Sequence, residues 1–122
     1  MTEINVLNDN TIKMSKSRTH GDSIQDELGS MIHENEILLF MKGNRLMPHC
    51  GFSSQVVNLL TKHTEAFVTV DVLADPEIRK GIKDYSNWPT IPQLYVKGKF
   101  IGGCDIITEL HEEGELEAIL KS

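Results

Sequence analysis

Hydrophobic positions along this chain change period several times, and each change marks an element. Ile24, Leu28, Met31 and Ile32 fall on one face of a 3.6-residue period, with Asp22 and Gln25 spaced as a capping box, so a helix starts near residue 22. Ile37-Leu38-Leu39-Phe40-Met41 is a continuous apolar run of buried-strand length. A loop with Gly43, Asn44 and Pro48 follows, and then Ser53, Val56, Val57 and Leu60 set a second helical face running to about His63. Phe67 to Val72 alternates and is rich in β-branched residues, which predicts a strand. Asp75-Pro76 is a cap followed by proline at the first helical position, and that helix reaches about Tyr85. Gln93 to Val96 and Phe100 to Gly102 flank Lys97-Gly98, a two-residue hairpin signal. Asp105 then caps a helix whose apolar face uses Ile106, Ile107 and Leu110. Gly114 interrupts it before Leu116, Ile119 and Leu120 resume.

Residues 1–20 keep no period and are polar, so they read as a flexible tail, with one domain over 21–122. Strands separated by helices are expected to pair parallel, and the hairpin to add an antiparallel edge. The predicted class is α/β, a mixed sheet of about four strands covered by helices on both faces. This is the thioredoxin-like arrangement.

Composition narrows the function. A chain of 122 residues with 39% hydrophobic and 25% charged residues suits one ordinary globular core. No apolar run approaches the ~20 residues of a membrane span. The net charge of −6 disfavours nonspecific attraction to nucleic acid. The acid-containing start, with Glu3 and Asp9, has neither a signal peptide nor an intact transit peptide as its expected reading. Two cysteines, Cys50 and Cys104, form neither a disulfide framework nor a zinc pattern, and they suit a reducing compartment. The five histidines, His20, His33, His49, His63 and His111, have no ligand spacing and read as surface or satisfied residues. Glu109, Glu112, Glu113, Glu115 and Glu117 read as a solvated helix face.

Cys50 is the candidate for chemistry. It lies between His49 and Gly51 at a loop–helix junction, where free N–H groups and the helix dipole favour an anion. Such a site lowers a thiol pKa, and Lys42 at the end of the preceding strand adds positive potential. The competing reading is a buried structural cysteine, but Cys50 is not on an apolar face. Three positions on stands Ser53, which cannot form a disulfide. Any disulfide of Cys50 therefore needs an outside thiol to resolve it.

Cys50-Gly51-Phe52-Ser53 resembles the signature of the monothiol glutaredoxins. Lys42-Gly43 and Pro48-His49 lead into it with that family's spacing. Trp88-Pro89-Thr90-Ile91-Pro92 resembles the family's loop before the hairpin, and Gly102-Gly103-Cys104-Asp105 its turn into the last helix. These four motifs, in order, span residues 42–105. The loop Asn44-Arg45-Leu46-Met47 is less polar than the family pattern suggests.

The resemblance implies glutathione or a related thiol as ligand, with Cys50 catalytic and a metal ligand. Lys42 and Arg79 match cationic positions, with Lys83 one turn beyond Arg79. Cys104 and Asp105, after Gly103, match the positions holding the γ-glutamyl end. Phe52, Thr90, Ile91 and Pro92 complete the implied binding set. The Ile91-Pro92 bond is expected to be cis and to face Cys50, ready to pair with an extended peptide. A two-iron, two-sulfur (2Fe-2S) cluster takes four thiolates. The family solution is a cluster-bound homodimer, monomeric when apo, in which each Cys50 is joined by a glutathione sulfur. A purely protein alternative uses Cys50 and Cys104 of both chains. Three functions stay open: cluster delivery to apo iron–sulfur proteins, glutathione-dependent exchange on mixed disulfides, and a scaffold for a BolA-like partner. The resemblance to single-domain members implies the mitochondrial matrix.

Overall fold

The computed structural model describes residues 23–121. The expected tail, Asp22 and His20 lie outside them. In chain order the elements are α1 (Ile24–Glu34), β1 (Ile37–Met41), α2 (Gly51–Thr61), β2 (Val68–Asp71), a 3-10 turn (Val72–Ala74), α3 (Pro76–Ser86), β3 (Gln93–Val96), β4 (Lys99–Gly102), α4 (Cys104–Glu112) and α5 (Leu116–Lys121). The four strands form one sheet in the order β2-β1-β3-β4.

The sheet is mixed. β1 and β2 are parallel, with Leu38 opposite Val68 and Met41 opposite Asp71. β3 takes the other side of β1 and runs antiparallel to it, Phe40 facing Gln93, and β4 follows antiparallel on β3. Parallel pairing across every helix therefore fails at α3. The connection after β2 leaves the sheet at the C-terminal end of β1 and re-enters it at that same end, so β3 must run the other way. The hairpin between β3 and β4 turns on Lys97 and Gly98, both at positive φ (52° and 81°), the twist-matched two-residue form.

Every residue of β1 is buried because both sheet faces are covered. Leu38 and Phe40 pack with α1 and α3, against Leu28, Ile32, Ile78, Ile82 and Tyr95. Ile37, Leu39 and Met41 pack with α2, α4 and α5, against Val56, Leu60, Ile107, Leu116 and Leu120. Each such side chain stabilises by about 1.5–3 kcal/mol through loss of water contact. α1 and α3 meet at Gly81, where a Cβ would stand 3.0 Å from Ile24 and 3.2 Å from Leu28. Gln25 reaches across that crossing, its Nε2 donating to the Gly81 carbonyl at 3.0 Å.

Gln25 is thus no part of a capping box. The N-cap of α1 is Ser23, whose hydroxyl accepts from Asp26 N. Asp105 is likewise no cap: it lies in the first turn of α4, one residue after Cys104, and the cap position is Gly103. Asp75 does cap α3, accepting from Glu77 N ahead of Pro76. β2 is shorter than the alternation predicted, because Asp71 accepts from Leu73 N and bends the chain into the 3-10 turn.

Candidate functional site

The approach to Cys50 is a closed loop. His49 N donates to the Lys42 carbonyl at 2.9 Å, and Gly43 bridges to Pro48. Gly43 has φ +86°, and a Cβ there would lie 2.4 Å from the Met47 carbonyl oxygen, so only glycine fits. Asn44 Oδ1 accepts from Leu46 N and Met47 N, each at 2.9 Å. Arg45 points back to the β2 edge, donating to the carbonyls of Glu65 and Phe67 with its guanidinium 3.7 Å from the Phe67 ring centroid. This leaves Leu46 and Met47 facing water, together with Phe52.

That loop delivers Cys50 to the N-cap of α2, where its sulfur accepts from Ser53 N at 3.3 Å. The Ser53 hydroxyl also lies 3.3 Å from the sulfur, is fully buried, and already accepts from Lys42 N at 3.1 Å. With its acceptor side engaged, that hydroxyl has its proton to give to a thiolate. Burial works against ionising Cys50. The Ser53 hydroxyl, the N–H groups of Ser53 and Phe52, and the Lys42 charge outweigh it, and the thiol pKa lies below the ordinary value. Ser53 is thus an activating donor, a role the sequence reading missed. The signal was present, since an N-cap side chain accepts from the residue two or three positions on.

Cys104 is the first residue of α4, partly buried like Cys50, and both thiols are free. Burial pushes its pKa up, the Thr108 hydroxyl offsets only part of this, and the charges of Asp105 and Cys50 raise it further.

A cavity of about 370 Å³ opens beside these residues. Lys42 and Phe52 form one wall, Lys83 of α3 another, the 88–92 loop a third, and Cys104, Asp105 and Ile106 the α4 end. Thr90, Ile91 and Pro92 all face it, and the Ile91-Pro92 bond is cis. Arg79 is exposed one turn before Lys83 and does not line the cavity. Gly103 caps α4 with no side chain, so the first N–H groups of that helix are left for a carboxylate. Trp88, Pro89 and Ile106 also line the cavity. The sequence reading had the first two as motif residues only and Ile106 as core.

The 88–92 loop has an internal support. Gln93, fully buried, donates from Nε2 to the carbonyls of Trp88 (3.0 Å) and Thr90 (3.2 Å). Its Oε1 accepts from the Tyr95 hydroxyl at 3.2 Å. Burial pushes the Tyr95 phenol up to about 12, so it remains a donor at neutral pH. Asn87, in the left-handed conformation (φ 56°), ends α3 and starts the loop. The arrangement thus offers a half-accessible sulfur of lowered pKa beside a groove with cations at one end and open amides plus a carboxylate at the other.

Comparison with known proteins agrees with this geometry. The family model described as Glutaredoxin matches residues 37–101. Monothiol glutaredoxin-S17 of Arabidopsis thaliana is 52% identical over 105 residues, 86% of this chain, although the match spans only 22% of that longer protein. The monothiol glutaredoxin ycf64-like protein of Synechocystis is 54% identical over 94 residues, covering 77% of this chain and 88% of its own length. Among solved structures, reduced apo GrxS14 of poplar superposes with a TM-score of 0.71 at 40% identity, covering 81% of this chain and 91% of that one. Among the described residues no helix is long and apolar enough to cross a membrane.

Proposed function

The chain belongs to the glutaredoxin family, with monothiol members among its relatives, and from that premise we propose that it binds and hands on a glutathione-ligated 2Fe-2S cluster. The observation that carries this reading is the pairing of Cys50, its pKa lowered by hydrogen bonds and charge, with Ser53 where a second cysteine would make a dithiol. A soft, deprotonated sulfur is the ligand an iron–sulfur cargo requires. One chain supplies one such sulfur, because Cys104 favours its protonated form. Two copies with two glutathione sulfurs supply four. Ligands borrowed from a small molecule exchange readily, which suits delivery to apoproteins.

Glutathione has a place in the groove by charge. Lys42 and Lys83 suit its glycyl carboxylate, and the Cys104 end of α4 with Asp105 suits the γ-glutamyl carboxylate and ammonium. The Ile91 backbone suits the extended peptide between them. A BolA-like partner and a mitochondrial matrix location belong to the same reading, on resemblance to single-domain family members.

Anaerobic mixing of reduced protein with iron, sulfide and glutathione is expected to give a coloured dimer that Cys50→Ser abolishes. Persistent colourless monomer would overturn the reading. Retention of the cluster in Cys104→Ser is expected, and its complete loss would favour protein-only ligation.

The lowered Cys50 pKa also favours a second reading, glutathione-dependent exchange on mixed disulfides. The thiolate attacks the glutathione sulfur of a glutathionylated protein, the target leaves as a thiolate, and Cys50 becomes glutathionylated. A second glutathione thiolate then restores Cys50 and leaves as oxidised glutathione. Release of a glutathionylated substrate by wild type but not by Cys50→Ser tests it.

A further inference from the structure

Two histidines that are 48 positions apart in sequence meet on the far side of α2. His63 Nε2 and His111 Nδ1 are 3.0 Å apart, with ring centroids 5.2 Å apart and planes at 72°. His63 follows the end of α2, His111 is in the last turn of α4, and both rings are partly exposed. We propose that His63 and His111 together chelate a divalent transition-metal ion of tetragonal preference, copper(II) foremost, at a site separate from the thiol groove.

The distance suits two ligands of one ion. With metal–nitrogen bonds of about 2.0–2.1 Å, nitrogens 3.0 Å apart subtend about 95° at a shared ion. That is the cis angle of a square-planar or tetragonal ion. Copper(II) also binds imidazole more tightly than its neighbours in the first transition row. The change asked of the protein is small. The ring that donates the present hydrogen bond moves its proton to its other nitrogen, and both rings turn their lone pairs to one point. Each then binds through the lone pair of one ring nitrogen.

The surroundings favour a dication. Glu109, Glu112, Glu113 and Glu115 flank His111 and are exposed. Glu117 is near enough to His63 to feel its charge, while Lys121 holds that carboxylate at 2.7 Å. Among the described residues no group of three metal-ligating side chains occurs, so water completes the coordination. The two helices that carry the rings are also joined directly, Gln55 of α2 donating to Thr108 of α4 at 2.8 Å. A rigid two-imidazole chelate raises the effective concentration of the second ligand and so the affinity.

The test uses the full chain with Cys50→Ser and Cys104→Ser, so that no thiol binds or reduces copper. Titration with copper(II) chloride in a non-coordinating buffer is expected to give one equivalent bound, with electron paramagnetic resonance showing two imidazole nitrogens. His63→Asn or His111→Asn is expected to weaken binding about tenfold or more. His20→Asn, His33→Asn and His49→Asn are expected to leave it unchanged. Where a substitution disturbs folding, copper-induced broadening of amide signals in residues 60–64 and 108–113, with both histidines present, locates the ion directly. No binding, broadening only elsewhere, or binding that survives loss of both His63 and His111 would overturn the proposal.

Discussion

Two helices of this protein begin at a cysteine, and the two sulfurs meet opposite fates. Cys50 is the N-cap of α2, outside the first turn, so its side chain reaches back to the exposed N–H groups. Cys104 is the first residue inside α4, after Gly103, so its sulfur has no such amides to accept from. One position of phase along the helix thus separates a sulfur that collects donors from one that does not. The neighbours reinforce the split. Cys50 has the Ser53 hydroxyl and Lys42, whereas Cys104 has Asp105 and the Cys50 charge, with only Thr108 in compensation. Placement at a helix start is not enough to activate a thiol; the side chain must be where the amides point.

The largest expected effect comes from removing the favoured sulfur. At neutral pH, iodoacetamide is expected to label Cys50 first, and Cys50→Ser to slow total labelling about tenfold or more. Equal labelling of both cysteines would break the contrast. Next comes the donor. Ser53→Ala removes the hydroxyl and leaves the Lys42 N–H without its acceptor, which is expected to cost about 1–3 kcal/mol in urea unfolding. The same change is expected to shift the pH profile of Cys50 alkylation upward, while Ser53→Thr keeps most of both properties.

Gly43→Ala is expected to act on the same sulfur through the loop, costing about 1–3 kcal/mol because a Cβ there meets the Met47 carbonyl at positive φ. Thermal unfolding and the Cys50 labelling rate are expected to fall together.

The pH dependence of stability sharpens the contrast further, with opposite signs. The folded pKa of Cys50 is depressed, so its contribution is present above the ordinary thiol value of about 8.5 and lost as pH falls through the folded value. The folded pKa of Cys104 is raised, so its contribution is present below the ordinary value and lost as pH rises through the folded one. Urea midpoints of wild type minus Cys50→Ser are therefore expected to rise with pH, and those of wild type minus Cys104→Ser to fall. Cys104→Ser is expected to have the smallest effect on Cys50 chemistry, leaving its alkylation profile in place, because Cys104 is still protonated where Cys50 ionises.

Features encoded within a turn or two were legible in the sequence. The apolar run of β1, the Asp75-Pro76 start of α3, the Lys97-Gly98 hairpin and the position of Cys50 at a helix mouth all depend on adjacent residues. What escaped depends on residues brought from afar. Gln25 reads as a capping partner until α3 is beside it, 56 positions away. The antiparallel course of β3 follows from where α3 returns the chain, which no local period records. Gln93, polar and fully buried, carries no pattern signal because its acceptors are carbonyls of the loop that it shapes. The His63–His111 pair forms only when the ends of α2 and α4 meet. Lys83, rather than Arg79, lines the groove; the two share one face of α3, so the sequence pattern does not say which turn of the helix lies beside the groove.

Asp71 closes the parallel pair with one carboxylate oxygen that takes both Gly43 N and Leu73 N at 2.9 Å. The last residue of one strand is thereby the anchor for the loop leaving its neighbour. A disturbance at the outer margin of the sheet has a two-bond route to the reactive end of α2, with no need to travel through the core. Nuclear relaxation measured at Gly43 in an Asp71→Asn protein would register that mechanical link before any loss of fold.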